Sequence, residues 1–335
     1  MKTKREINKG LILAGLLCLL VLVSILSLAF GSVNIPVGTV VQSLTGQDTS
    51  SRWAFIIKTI RMPRTIAGIA AGAAFATAGV LLQGVMNNSL ASPNTIGVNS
   101  GAGFFVMLSM MCFSDNLFLK PVFAFAGALV TSLVILGLAF LAEKSRATIV
   151  LAGIAVSSFL SAGMNMMKTL DSDLTINATQ FLIGTLSGST YKSITVPVIG
   201  IFVAVILSCL LSKALNLLGL GDGVARSLGL NVDLFRIIFV ILASCLAGLA
   251  VSFGGLIGFV GLIVPHICRS LIGHDARVLL PAAGISGAIF VVAADLLGRV
   301  LFAPFELPVG IILSICGAPF FIYLLLRKGG KRVNA

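Results

Sequence analysis

Charge is scarce in this sequence. Asp, Glu, Lys and Arg make up 10% of the 335 residues, where a soluble domain carries about 25%. A soluble globular fold is thereby excluded, and with 58% hydrophobic residues and a mean hydropathy of +1.11 the chain reads as an integral membrane protein. No nucleotide loop of the form GxxxxGK[ST] occurs, so the chain does not bind ATP by that route. The six cysteines stand singly in or beside apolar runs, without CxxC or metal-ligand spacing, and are expected as small core residues. The two histidines, His266 and His274, fit no metal pattern, and His266 after Pro265 is expected at a helix end. Neither a metal nor another cofactor is expected. No Ser–His pair or paired Asp has a supporting context, so no catalytic group is assigned. Acids inside the apolar runs are too few for a proton relay. The formal net charge is +12. The basic residues are scattered at segment ends, with no aromatic-interleaved patch, so nucleic acid is not a partner.

What is present is a series of long apolar runs. They exceed strand length and lack strict alternation, so helices rather than a barrel are the spanning solution. A span needs about 20 apolar residues, and about ten segments fit. The expected fold is an all-α polytopic membrane protein, one transmembrane domain over residues 1–335. The start MKTKREINKG precedes an uncleaved first span at 11–30. The others are expected near 65–82, up to Cys112, 122–141, 148–167, 195–211, 234–251, 254–264, 282–300 and 309–326. The second, AGIAAGAAFATAG, is rich in small residues that let helices approach closely, which places it in the bundle centre. Residues 84–100 are too polar to face lipid and suit a broken helix buried in protein.

Fifteen of the 23 Lys and Arg residues fall on the N-terminal side of this alternation. That bias puts both termini in the cytoplasm. The cytoplasmic parts are then 213–233 and 266–281, and the main extracytoplasmic parts are 31–60, with the only tryptophan, Trp53, and 168–192. Arg61, Arg64 and Arg299 stand at outer span ends, where the bias does not call for them. They suit either snorkelling anchors or a patch that docks an acidic partner. Asp295, four residues before Arg299, suits an internal ion pair.

One cytoplasmic stretch differs from all others. In GDGVARSLGLNV, Gly221 to Val232, Asp222 can cap a short helix and Gly229 can end it in a left-handed conformation. Gly221 and Gly223 read as cap residues. Val224 and Leu228 lie four apart on one face, with Leu217 and Leu220 as extensions of the stripe, and Arg226 points elsewhere. This is either a short amphipathic helix near 222–229 that presses on a partner, or a connecting loop packed on its own bundle. In the fifth span, Ser157, Ser158, Ser161, Met164, Asn165 and Met167 form a weakly polar face. It suits the lining of a path or ordinary helix packing.

Several stretches resemble the permease subunits of binding-protein-dependent ABC importers for iron–siderophore complexes, haem and vitamin B12, the FecCD-type permeases. They are RMPRTIAGIAAGAAFATAGVLLQ (61–83), SLASPNTIGVNSGA (89–102), FLIGTLSG (181–188), GDGVARSLGLNV (221–232), IGFVGLIVPHICRSLIGHDARVLLP (257–281), ADLLGR (294–299) and ELPVGIILSICGAPFFIYLL (306–325). Together they cover nearly the whole chain in the family's order. The chain departs from the family's pattern at Asn87–Ala91, where an Arg and a Pro are missing, at Leu256 and at Phe181.

The resemblance implies ten helices and pairing with a second, identical or different, permease chain, with the path between the two. It implies two separate ATPase subunits seated on the cytoplasmic segment Gly221, Asp222, Val224, Ala225, Arg226, Leu228 and Gly229. It implies an extracytoplasmic binding protein docked through Arg61, Arg64 and Arg299, and a place in the cell membrane. Ferric siderophore is the implied cargo, ahead of haem and cobalamin. An ion-coupled secondary transporter with a site at the broken helix is the competing class.

Overall fold

The computed structural model describes residues 9–46, 51–113, 119–141 and 146–329. The basic residues Lys2, Lys4, Arg5, Lys144, Lys331 and Arg332 used in the charge count lie outside them. Helices carry the described chain, and no strand occurs among these residues. In order they are α1 (Lys9–Ala29), α2 (Val37–Leu44), α3 (Arg52–Phe55), α4 (Met62–Val85), α5 (Val98–Cys112), α6 (Leu119–Leu141), α7 (Arg146–Leu170), α8 (Ser172–Ile183), α9 (Tyr191–Leu210), α10 (Ser212–Gly219), α11 (Asp222–Ser227), α12 (Val232–Gly254), α13 (Val260–Ile272), α14 (Ala276–Val300) and α15 (Val309–Gly329). Seven helical stretches are long and apolar enough to cross a membrane, and the apolar parts of α5, α13 and α15 add three shorter ones. This is the ten-segment pattern read from the sequence.

The second span is longer than its apolar pattern. A π-helical stretch, Ile56–Arg61, joins α3 to α4, so one helix runs from Arg52 to Val85. The wide turn has a local cause: Pro63 has no N–H to donate and its ring crowds the preceding turn. Met62 N–H accordingly donates five residues back, to the Ile57 carbonyl. Residues 52–60, expected in a polar connection, are therefore helical.

The Ala/Gly run of α4 makes it the central helix. A Cβ on Gly72 would land on the Gly287 carbonyl oxygen of α14, and one on Gly79 would land on that of Gly261 in α13. Only glycine allows backbones this close, as in other small-residue helix contacts. α12 packs on α4 from another side and also meets α6 and α9. α1, α7 and α9 lie outside, with broad apolar faces uncovered, Phe159 and Val196 among them.

The broken segment is as expected. α4 ends at Val85, Asn87 is left-handed at φ 45°, a 3-10 turn covers Pro93–Ile96, and Gly97 at φ 69° starts α5. A second break lies later than the sequence placed it, between the spans expected at 234–251 and 254–264. α12 ends at Gly254, and α13 begins only at Val260, after Phe259 at φ 66°. α13 then continues to Ile272, so the segment expected as the cytoplasmic connection 266–281 is mostly helix. Only Gly273–Asp275 separate α13 from α14. His266 is thus inside α13, its ring edge-on to Phe320, and not at a helix end. Of the cysteines only Cys268 is buried. Cys18, Cys112 and Cys316 are exposed, so the core expectation fails for them.

Candidate functional site

The two ends of the bundle gather different chemistry. One end brings together the C-terminus of α1, the start of α4, the end of α14 and the 301–308 loop before α15. Arg61, Arg64 and Arg299 all sit here, and all are buried at 6%, 7% and 3% exposure. Arg64 grips Asp295 with Nε and Nη2 at 3.0–3.1 Å, and its Nη1 donates to Glu306 at 2.6 Å. Arg299 Nε donates to the same Asp295 at 3.0 Å. Its Nη1 and Nη2 donate to the Ser27 and Phe30 carbonyls and the Ser27 hydroxyl. Arg61 donates to the carbonyls of Leu28, Ala29 and Val33. The two arginines thus occupy the carbonyls at the end of α1, where a helix terminus attracts cations.

The three arginines, read from the sequence as anchors or a docking patch, are buried. Charged groups this deep need partners, and the three guanidinium groups find them within the chain. The ion pair expected between Asp295 and Arg299 is present. Arg64 and Glu306, the members that close the network, were not joined to it by sequence spacing, because they lie 231 and 242 residues apart from their partners in the pairs they make.

The opposite end carries α10 and α11. Gly221 precedes α11 at φ 101° and serves as its cap position, so Asp222 is the first helical residue and not the cap. Its carboxylate instead accepts from Arg236 Nη2 of α12 at 2.6 Å. Gly223 lies within the first turn, also not at a cap. The C-terminus is as expected: Gly229 has φ 85°, Leu230 N–H donates to the Ala225 carbonyl and Gly229 N–H to that of Arg226, both at 3.0 Å. This paired closure is the Schellman arrangement. Ala225 is fully buried against the bundle, while Val224 and Leu228 remain 49% and 58% exposed. Arg226 is exposed and pairs with Asp233 at 3.4 Å. The sequence missed Arg236, a buried cation in the first turn and a half of an apolar helix, whose charge was the available signal.

α10 seats this end on the core through Leu215 and Leu218. Asn216 locks it to α14: its Nδ2 donates to Asp275 Oδ1, and its Oδ1 accepts from Ala276 N–H, both at 2.8 Å. The Asn216 Nδ2 bond and that from Arg277 N–H hold the Asp275 carboxyl below its usual range. Beside them lies a cavity of about 600 Å³ lined by Gln83, Asn87, Ser89, Asn216, Arg269 and His274, among others.

Along α7 a second cavity, of about 650 Å³, opens on Asn94, Ser157, Ser158, Ser161 and Asn165. The Ser157 hydroxyl is buried there without a hydrogen-bond partner among the described residues. Met164 is not part of this lining. It turns inward, with its sulfur 3.0 Å from where a Gly103 Cβ would be, and packs on the core. Met167 is buried as well.

A polytopic helical bundle with two broken spans and a half-exposed amphipathic helix at one end is built as a membrane transport component. Comparison with known proteins gives the family. The model of the FecCD transport family matches residues 19–327. The Fe(3+)-citrate import system permease protein YfmE of Bacillus subtilis is 38% identical, over 99% of this chain and 98% of its own length. The hemin transport system permease protein HmuU of Yersinia pestis is 35% identical, over 98% of both. A solved structure described as an inward-facing metal-chelate type ABC transporter superposes with a TM-score of 0.81 at 28% identity, covering 95% of this chain and 99% of that one. The chain belongs to the FecCD transport family, and it is a permease subunit of an ABC importer.

Proposed function

We propose that this chain pairs with a second permease chain and forms with it the membrane path for a ferric siderophore. In this reading an extracytoplasmic binding protein delivers the complex and two separate ATPase subunits drive it. The relatives named for ferric citrate and hemin transport support an iron-chelate cargo. Both termini lie in the cytoplasm in this reading, as the excess of Lys and Arg on that side favours, and the membrane is the cell's plasma or inner membrane.

The single observation that carries the reading is α11. Val224 and Leu228 stay half exposed on a helix whose other side is anchored by Ala225 and by the Asp222–Arg236 pair. An ATPase subunit seated on that face, with Gly221, Arg226 and Gly229 around it, has a rigid handle on α12. ATP-driven movement then biases a bundle with two arrangements. The hydroxyl and amide groups of Ser157, Ser158, Ser161 and Asn165 line the path. They offer a bulky chelate weak, uncharged contacts that do not trap it. At the other end Arg61, Arg64 and Arg299 form the docking region for the binding protein. They act from a network already closed within the chain, so docking there proceeds by partner exchange.

The test is reconstitution of the permease with its ATPase subunits in liposomes, with binding protein and radio-iron-loaded siderophore on the outer side. ATP-dependent accumulation is expected, abolished by omitting the ATPase or the binding protein. Accumulation that persists without the ATPase would identify an ion-coupled transporter instead.

A further inference from the structure

The network at the α1/α4/α14 end holds more positive than negative charge. Three guanidinium groups face two carboxylates, and Arg61 donates its hydrogen bonds to carbonyl oxygens, with Glu306 acting on it through charge only. The two carboxylates differ in kind. Asp295 is almost wholly buried, shared between Arg64 and Arg299, and fixed in the α14 helix. Glu306 takes its hydrogen bond from Arg64 Nη1 and is reached by Arg61 and Arg299 through charge only, its side chain is 31% exposed, and it sits in the loop between α14 and α15. Asp295 occupies Nε and Nη2 of Arg64, so Nη1 is the one edge of that guanidinium open to exchange. The residues leading up to Glu306 are an exposed apolar strap, with Leu301, Phe302 and Phe305 at 62%, 53% and 78% exposure.

We propose that Glu306 is a resident placeholder for a carboxylate of the docking binding protein, and that the 301–305 strap is the apolar part of the landing surface. An acidic side chain arriving from outside takes over the Arg64 Nη1 position, and Glu306 swings into solvent. The exchange conserves the number of ion pairs and lets a buried cation meet a partner without ever being left bare, which would be costly. An acidic protein surface is the occupant because the network has a net positive charge and the strap offers apolar contact beside it. This rests on the docking reading given above and adds the residue that regulates it.

The experiment uses the assembled permease–ATPase complex in nanodiscs, titrated with the purified binding protein of its own gene cluster. Glu306→Gln removes the competing charge yet keeps a hydrogen-bond acceptor for Arg64. It is expected to tighten binding at least fivefold and to steepen its salt dependence, and Glu306→Asp is expected to stay near wild type. In combination with Arg64→Gln the gain should vanish, since the two changes act on one contact. Leu301→Ser with Phe302→Ser and Phe305→Ser should weaken binding at least tenfold without loss of the ATPase subunits.

Arg64→Gln weakening the complex while Glu306→Gln leaves it unchanged or weaker would overturn the placeholder alone. A binding protein indifferent to both Arg64→Gln and the strap changes would overturn the docking reading itself. Strap changes without effect would overturn the landing surface and assign those side chains to lipid.

Discussion

The two ends of this bundle are both rich in polar residues by the standard of the chain, yet they spend them differently. At the α1/α4/α14 end, three arginines are drawn inward and satisfied by Asp295, Glu306 and the carbonyls at the end of α1. At the α10/α11 end, Arg226 and the apolar pair Val224 and Leu228 remain outside, and one half-buried ion pair, Asp222–Arg236, holds the helix that displays them. The first end is a clamp that holds four segments together. The second, in the function proposed above, is a handle, with Val224 and Leu228 half exposed. A cluster of charge in a sequence therefore locates polar groups, but the depth at which they fold decides whether a partner can meet them directly or only by exchange with partners already in the chain.

The sharpest way to break the contrast is Asp295→Ala. It strips Arg64 and Arg299 of a shared buried carboxylate, and removing one partner of such a network costs about 3–5 kcal/mol. A large fall in the thermal unfolding midpoint of the detergent-solubilised protein is expected, read by loss of the monodisperse peak. An unchanged midpoint would show that the clamp does not hold the bundle. Next in size is Arg236→Met, which keeps the apolar stem but removes the ion pair with Asp222. Transport should fall several-fold more than ATPase-subunit binding does, because the handle is still present but keeps only its exposed Arg226–Asp233 pair to α12. Equal losses in the two assays would remove the lever from the account.

Much of the architecture was legible before the structure, and particular residues show why. The small-residue run in α4 announced a central helix, and Gly72 and Gly79 indeed let backbones touch α14 and α13. Gly229 announced the end of α11 because few other residues take its φ of 85°. Asp295 and Arg299 were paired by i,i+4 spacing alone. What failed was non-local or rotational. Arg64 meets Asp295 across 231 residues, which no local pattern encodes. Met164 was grouped with the α7 serines by proximity in sequence. Yet Ser157, Ser161 and Asn165 recur every four residues on one stripe, and Met164 is turned about 100° from Asn165. Asp222 was read as a cap by residue type, when Arg236 offered its carboxylate a stronger, buried partner. The break before α13 was placed too early, between 251 and 254, because the pattern did not show that Gly255 and Phe259 both take positive φ and keep 255–259 out of a helix.

The smallest effect belongs to the joint between α10 and α14. The Asp275 carboxyl is held below its ordinary 3.8 by the Asn216 amide and the Arg277 N–H. A depressed carboxylate contributes stability that is full above its unfolded value and is lost as pH falls through the lowered one. Stability lost between pH 5 and the lowered value should therefore be reduced in Asp275→Asn. At neutral pH Asn still accepts from the Arg277 N–H, so the cost should be well below the roughly 1 kcal/mol of a lost cap. A pH titration of the unfolding midpoint for both proteins checks the difference.

The central claim is that α11 carries a free face for another protein while the opposite end is closed on itself. The most direct measurement is co-purification of the ATPase subunits with Val224→Ser/Leu228→Ser, alongside the unfolding midpoint of the permease alone. Burying the exposed halves of these side chains is worth on the order of 1–2 kcal/mol for the pair. The account predicts roughly tenfold weaker ATPase association with an unchanged midpoint. Full ATPase association, or a midpoint that falls as far as that of Asp295→Ala, would contradict it.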